Sequence, residues 1–135
     1  MNLINLLLQT DKDLTAPSIE REIPRLTKAL GEKFIVELKP LTFDKYSEIQ
    51  DKCLNLNGKD VRFDAQEFNI LLAMNATYVN GERLFYNKDL KTRYGAINAK
   101  ELCKKLLTVG EISKLGDEIT GLCGFGDNVV EEVKN

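Results

Sequence analysis

Few side chains in this chain could carry bond chemistry, and their spacing argues against most of what they could do. Histidine is absent, so neither a Ser-His-Asp triad nor a Cys-His pair can be assembled. The remaining nucleophile–base pair is Ser113-Lys114. Adjacent residues on a helix do not face one another, so this hydroxyl and amine are poorly placed to react together. The cysteines are Cys53, Cys103 and Cys123. An odd, widely spaced set is not a secreted disulfide framework, and without His the Cys/His zinc patterns fail. Each cysteine falls on an expected apolar helix face and reads as a small hydrophobe. No basic neighbour pattern would activate its thiol. Acids pair at Asp11/Asp13, Asp60/Asp64 and Asp117/Glu118. An EF-hand loop needs about five oxygen ligands across about 12 residues, yet Val61, Arg62 and Phe63 stand where ligands are required. These acids read as caps and solvated faces. Gly121-x-x-Gly124-x-Gly126 follows a helix pattern instead of opening one after a strand, so it reads as a helix stop, not a phosphate cradle. No catalytic residue, metal ligand or cofactor-binding residue is expected.

What remains is the chemistry of apolar surface. Leu3, Ile4, Leu6, Leu7 and Leu8 crowd the N-terminus. Two helical turns cannot hide all five against one surface, and so short a helix is unstable alone in water. The run either packs between layers or docks on another molecule, a second copy included. Tyr78, Phe85, Tyr86 and Tyr94 cluster around Asn80-Gly81. They could form a patch for an apolar partner or pin a long connection to the core. The partner-binding candidates are therefore Leu3, Ile4, Leu7, Leu8, Tyr78, Phe85 and Tyr86.

Composition narrows the partners. Basic residues number 19 and acidic residues 21, a net charge of -2, which does not favour the phosphate backbone of nucleic acid. The N-terminal run is far short of the roughly 20 apolar residues that span a bilayer. It also lacks the basic n-region and cleavage site of a signal peptide, which predicts a cytoplasmic protein with no membrane partner.

The elements that must position these groups follow from periodicity. A chain of 135 residues fits one domain, able to bury about two-thirds of its unfolded surface. Residues 1–18 read as an apolar helix and a polar connector carrying Pro17. Ile19 to Ile23 alternates apolar and polar residues, the period of a strand, and Pro24 ends it or holds it at an edge. Residues 33–39 are the strongest strand, rich in aromatic and β-branched residues. The loop between is about nine residues, longer than the usual two to five, with Leu26 and Leu30 expected to fold over the sheet. A helix capped by Thr42 should carry Tyr46, Ile49, Cys53 and Leu56 at helical spacing. Val61-Arg62-Phe63 could add a third strand. Asp64 and Asn98 open capping-box spacings, Asn87 can cap a brief helix to Tyr94, and Glu111 after Gly110 favours a last helix start. The tail, 126–135, reads as loose. Strands first and helices after, mostly in the C-terminal two-thirds, predict an α+β fold with a small antiparallel sheet.

One resemblance covers nearly the whole chain. A leucine-containing N-terminal segment precedes Glu22-Ile23-Pro24-Arg25-Leu26. The strand Phe34 to Leu41 leads into the helix at Thr42. Phe85-Tyr86-Asn87-Lys88-Asp89-Leu90 precedes Tyr94-Gly95. Leu106-Leu107, Gly110-Glu111-Ile112 and Gly124-Phe125 lead to Glu132-Val133-Lys134-Asn135. In order and spacing these motifs resemble the XkdN-like family of phage tail assembly chaperones. Thr108-Val109 departs from the proline expected before the Gly-Glu pair. The resemblance implies a non-enzymatic phage or prophage protein that binds the long, helical, apolar tape measure protein, keeps it soluble and helps recruit the tail tube protein. It implies action in the bacterial host cytoplasm and absence from the mature virion. A longer, frameshifted form, as some tail chaperones have, would begin its extension in this chain's tail. The competing expectation is a tail completion or connector subunit retained in the virion.

Overall fold

Two alternating stretches and six capped helical patterns dictate most of the architecture. The computed structural model describes residues 2–14 and 17–134. Met1, Asn135 and the Thr15-Ala16 part of the expected connector lie outside the described residues. In chain order the elements are α1 (Leu3–Gln9), β1 (Ile19–Glu22), α2 (Pro24–Leu30), β2 (Ile35–Leu38), α3 (Phe43–Lys52), β3 (Leu54–Asn57), β4 (Asp60–Phe63), α4 (Ala65–Ala76), β5 (Thr77–Val79), β6 (Glu82–Arg83), α5 (Lys88–Arg93), α6 (Ala99–Leu106) and α7 (Val109–Leu122). A 3-10 turn, Leu84–Tyr86, joins β6 to α5. The fold is α+β, helices around a small antiparallel sheet, as the order of patterns predicts.

The main sheet has the order β1-β2-β5-β6. β1 pairs with β2 from Ile19↔Leu38 to Glu22↔Ile35, and Pro24 follows β1 at the sheet's edge, where a missing N–H costs no ladder bond. The long connection between these strands is itself a helix, α2, begun by that proline, whose fixed φ suits a first turn. Leu26 packs partly against the core, but Leu30 does not cover the sheet; it is 61% exposed. The chain leaves α2 at Gly31 and returns directly to β2, so Leu30 ends on the outer face of the last turn.

Two strand assignments differ from the sequence reading. The helix expected through Leu56 stops at Lys52, and Leu54–Asn57 is strand β3. Leu-Asn-Leu-Asn satisfies a period of two, and pairing with β4 outweighs the helical spacing from Cys53 to Leu56. The third strand expected at 61–63 exists as β4, but it pairs with β3 in a separate two-stranded sheet. The main sheet instead gains β5 and β6, which follow α4 without a loop. Their turn, Asn80-Gly81, places both residues at positive φ, 53° and 82°, the twist a tight hairpin needs.

The core forms where α4 meets α6, α7 and β2. Leu72, Ala73 and Ala76 of α4 are buried with Val36, Leu38, Leu102, Cys103, Leu115 and Ile119. α4 packs most extensively on α7. Gly116 makes that closeness possible: a Cβ there would lie 2.1 Å from Asn69 Oδ1 and 3.0 Å from Asn69 Cβ. The start of α7 is fixed by Thr108, an unforeseen cap that exchanges hydrogen bonds with Glu111. Thr108 N–H donates to Glu111 Oε1 at 2.8 Å, and Glu111 N–H donates to Thr108 Oγ1 at 3.2 Å. The Glu111 carboxylate also accepts from Arg25 Nε at 3.0 Å and Nη2 at 2.9 Å, while Nη2 donates to the Leu106 carbonyl at 2.6 Å. One arginine on α2 thus ties the end of α6 to the start of α7.

Two measurements check this packing. Gly116→Ala sets an overpacking cost of about 1–3 kcal/mol against about 1 kcal/mol gained in helix propensity, so the urea midpoint should fall with unchanged slope; an unchanged or higher midpoint would show that the Asn69 side chain turns aside. The Arg25 hydrogen bond, helped by the Thr108 N–H, holds the Glu111 carboxyl below the usual carboxylate range. A lowered folded value means this contribution is complete above the unfolded value, about 4.3, and is lost as pH falls through the folded one. Glu111→Gln should therefore narrow the difference in Tm between about pH 6 and about pH 3. An equal acid loss in both proteins would assign the sensitivity elsewhere.

Candidate partner-binding surfaces

α1 owes its start to Asn2, whose Oδ1 accepts from the N–H groups of Ile4 at 3.0 Å and Asn5 at 3.3 Å. Its sequence, LINLLLQ, contains no charge and buries no residue. Exposure runs from 47% at Leu6 to 77% at Leu8. The structure therefore presents Leu3, Ile4, Leu7 and Leu8 together on one short helix. Leu3, Leu6 and Leu7 form a shallow apolar hollow with Thr10 and Leu14. Hydrophobic area left in water at this density is costly, and α1 is a surface that gains from being covered.

The aromatic stretch divides differently from its expectation. Phe85 is 0% exposed and sits in the core, so it is withdrawn from the partner-binding set: the 3-10 turn points its ring inward. Tyr78 is half-buried, with Lys39 Nζ 4.3 Å from its ring centroid. Tyr86 is exposed, and the Arg83 guanidinium lies 3.9 Å from its centroid. Arg83 also donates to Asn75 Oδ1 at 3.1 Å. Cations thus already occupy one face of each ring, a pairing worth roughly 0.5–1 kcal/mol at exposed sites. Tyr78 and Tyr86 keep edges accessible, while their stretch chiefly fastens β5 and β6 to α4.

A third surface went unforeseen. In the β3–β4 hairpin, Leu54 pairs opposite Phe63 and Leu56 opposite Val61. Directly opposed residues share a face, as do residues two apart, so all four apolar side chains lie on one side. All four are exposed. The signal was legible as two short alternations, Leu-x-Leu and Val-x-Phe, flanking a turn.

An open cleft between α4, α6 and α7, lined in part by Glu67, Ile70, Lys104 and Ile112, has Glu67 paired with Lys100. Burial pushes the Cys103 thiol up to about 12 and raises that of Cys53. Among the described residues no cluster of three His, Cys, Asp or Glu could hold a metal, and no helix is long and apolar enough to cross a membrane.

The described residues thus turn several apolar faces outward on a small α+β scaffold. Residues 4–135 match the family model of the phage XkdN-like tail assembly chaperone protein. The chain belongs to that family, whose role is phage tail assembly and is non-catalytic. Among solved structures it is similar to the crystal structure of the protein yqbn, with a TM-score of 0.62 and 22% identity over 89% of this chain and 95% of that one. At that identity the likeness is one of fold. No curated protein matches the chain in sequence.

Thiol labelling tests the burial on which this division of surfaces rests. Native protein treated with iodoacetamide near neutral pH should be modified at half-buried Cys123 and spared at Cys53 and Cys103, which should react only after unfolding. Modification of Cys103 at the rate of Cys123 would contradict the packing of α6.

Proposed function

We propose that this chaperone binds the tape measure protein during tail assembly and keeps that long, apolar, helical client soluble. The observation that supports this most is α1: five large apolar side chains, all exposed, on a helix without charge. Leu3, Ile4, Leu7 and Leu8 would cover the client's apolar stripe by helix–helix packing. Tyr78 and Tyr86 would add amphipathic edges that tolerate both water and contact. Charged residues over the rest of the surface would keep the complex dissolved.

Each contact is small, so several copies along one client would bind by avidity, with neighbouring copies able to associate. Such a coat would hold the client ready for the tail tube protein and leave as the tube closes around it. The work would take place in the host cytoplasm, with the chaperone absent from the mature virion. The role requires binding and release and no bond transformation.

Deleting residues 2–9 tests the reading without disturbing the core, since α1 contains no buried residue. No buried side chain is lost with it, so the Tm should hold. Co-expressed with the tape measure protein, the deletion should yield several-fold less soluble client than the full chain. Undiminished soluble client would sink the assignment of α1.

A further inference from the structure

The main sheet ends in β1, and the backbone of that edge is open. Ile23 N–H donates to the Phe34 carbonyl at 3.0 Å, in step with the pairs Arg21↔Val36 and Ile19↔Leu38. Backbone groups alternate in direction along an antiparallel strand, so the N–H and C=O groups of Glu20 and Glu22 point away from β2. Arg21 marks that direction, since its Nη1 donates back to the Glu20 carbonyl at 2.8 Å. The sheet's other edge, β6, is two residues long and runs straight into the 3-10 turn. On the face that Ile19 and Arg21 share, a hollow of about 410 Å³ lies between β1 and α7. Ile19, Gly121 and Leu122 form its apolar wall, and a Cβ built on Gly121 would meet nothing within 4 Å. Arg21 and Glu118 pair across it at 3.2 Å. The opposite face carries Glu20 and Glu22, both exposed and without an ion-pair partner among the described residues. Glu37 stands directly across from Glu20 and adds to the negative potential there.

We propose that β1 is the docking edge for an extended basic segment of a partner protein, which adds to the sheet as one more strand. The proposal is independent of the contacts assigned to α1. Main-chain pairing supplies the hold, and alternate side chains supply the choice of partner. Directly opposed residues share a face. The segment's residues opposite Glu20 and Glu22 therefore call for Lys or Arg. Those between them enter the hollow beside Gly121 and call for small or apolar side chains. The same charges exclude a second copy of this chain. Only outward-directed positions can pair, so the registers that overlap most of β1 set Glu20 opposite Glu20 or Glu20 opposite Glu22. Both oppose like charges, and the second also sets Arg21 against Arg21, which destabilises a pair of strands. The chain's own tail, with Asp127, Glu131 and Glu132, is repelled for the same reason. Arg21 holds the edge only through an exposed ion pair, a weak contact, so an incoming amide can replace it at the Glu20 carbonyl.

Short synthetic peptides test this on the full chain at low salt, where exposed charges are least screened. The probe alternates Lys and Val. One control alternates Glu and Val, and another is the Lys-Val peptide N-methylated at every lysine, the residues whose amides would face β1. Expected are saturable binding of the Lys-Val peptide and at least about tenfold weaker binding of both controls. Amide hydrogen exchange should show new protection at Glu20 and Glu22 when the Lys-Val peptide is bound. The double variant Glu20→Gln/Glu22→Gln should keep its Tm, because both side chains are exposed, and bind that peptide about fivefold more weakly or worse. Equal binding of the N-methylated peptide would show charge attraction without strand pairing. Equal binding by the double variant, or protection in the tail in place of β1, would put the contact elsewhere. Protection of Glu20 and Glu22 that grows with protein concentration without peptide would show a second copy on the edge. Each of these results, like the absence of saturable binding, overturns the proposal and leaves the reading of α1 untouched.

Discussion

The close approach of α4 and α7 governs the rest of this molecule. Gly116 removes the side chain that would strike Asn69, so two helices distant in sequence share one wall of the core. α4 then runs directly into β5, and β5 pairs with β2 at Leu38↔Thr77. A shift of α4 would therefore move the sheet as well as the bundle, because packed interiors have little free volume to absorb it. The Thr108–Glu111 cap and the Arg25 clamp hold the same junction from outside. Glu111 serves as both cap and ion-pair partner, so protonating its carboxyl weakens both contacts at once.

Because this junction completes the core, the apolar side chains of α1 and of the hairpin are not needed there. Leaving Leu3, Leu8, Leu56 and Val61 in water opposes solubility and gives the folded chain nothing in return. Such surface has a physical rationale if another molecule covers it. Both surfaces are small, and a small apolar contact releases readily. That would suit the proposed role, in which the client is handed on. Distribution over several copies would supply strength without making any single contact slow to break.

Much of the scaffold was readable from local chemistry. Thr42, Asp64, Asn87 and Asn98 all cap the helices their positions suggested, because a cap is a contact over three residues and needs no tertiary information. The first strand was legible from alternation and the second from its aromatic and β-branched residues. The misreadings arose where two periods competed or where pairing was remote. Leu56 fits a helix from Cys53 and a strand from Leu54 equally well, and only the partner Val61 decides. β5 and β6 are too short to show a period of their own. At α1 the sequence left packing between layers and docking both open, because two turns carry more leucine than one face can hide; the structure leaves all five apolar side chains exposed. Exposure was not legible for Phe85, whose burial depends on where the 3-10 turn after β6 aims the ring.

The central claim is that this protein covers apolar client surface for a time and then departs. Quantitative mass spectrometry of assembly intermediates and of purified mature particles tests it most directly. The account predicts this chain in soluble intermediates together with the tape measure protein, and its absence from finished virions. Stoichiometric retention in mature particles, with none bound to free tape measure protein, would contradict it and identify a completion or connector subunit instead.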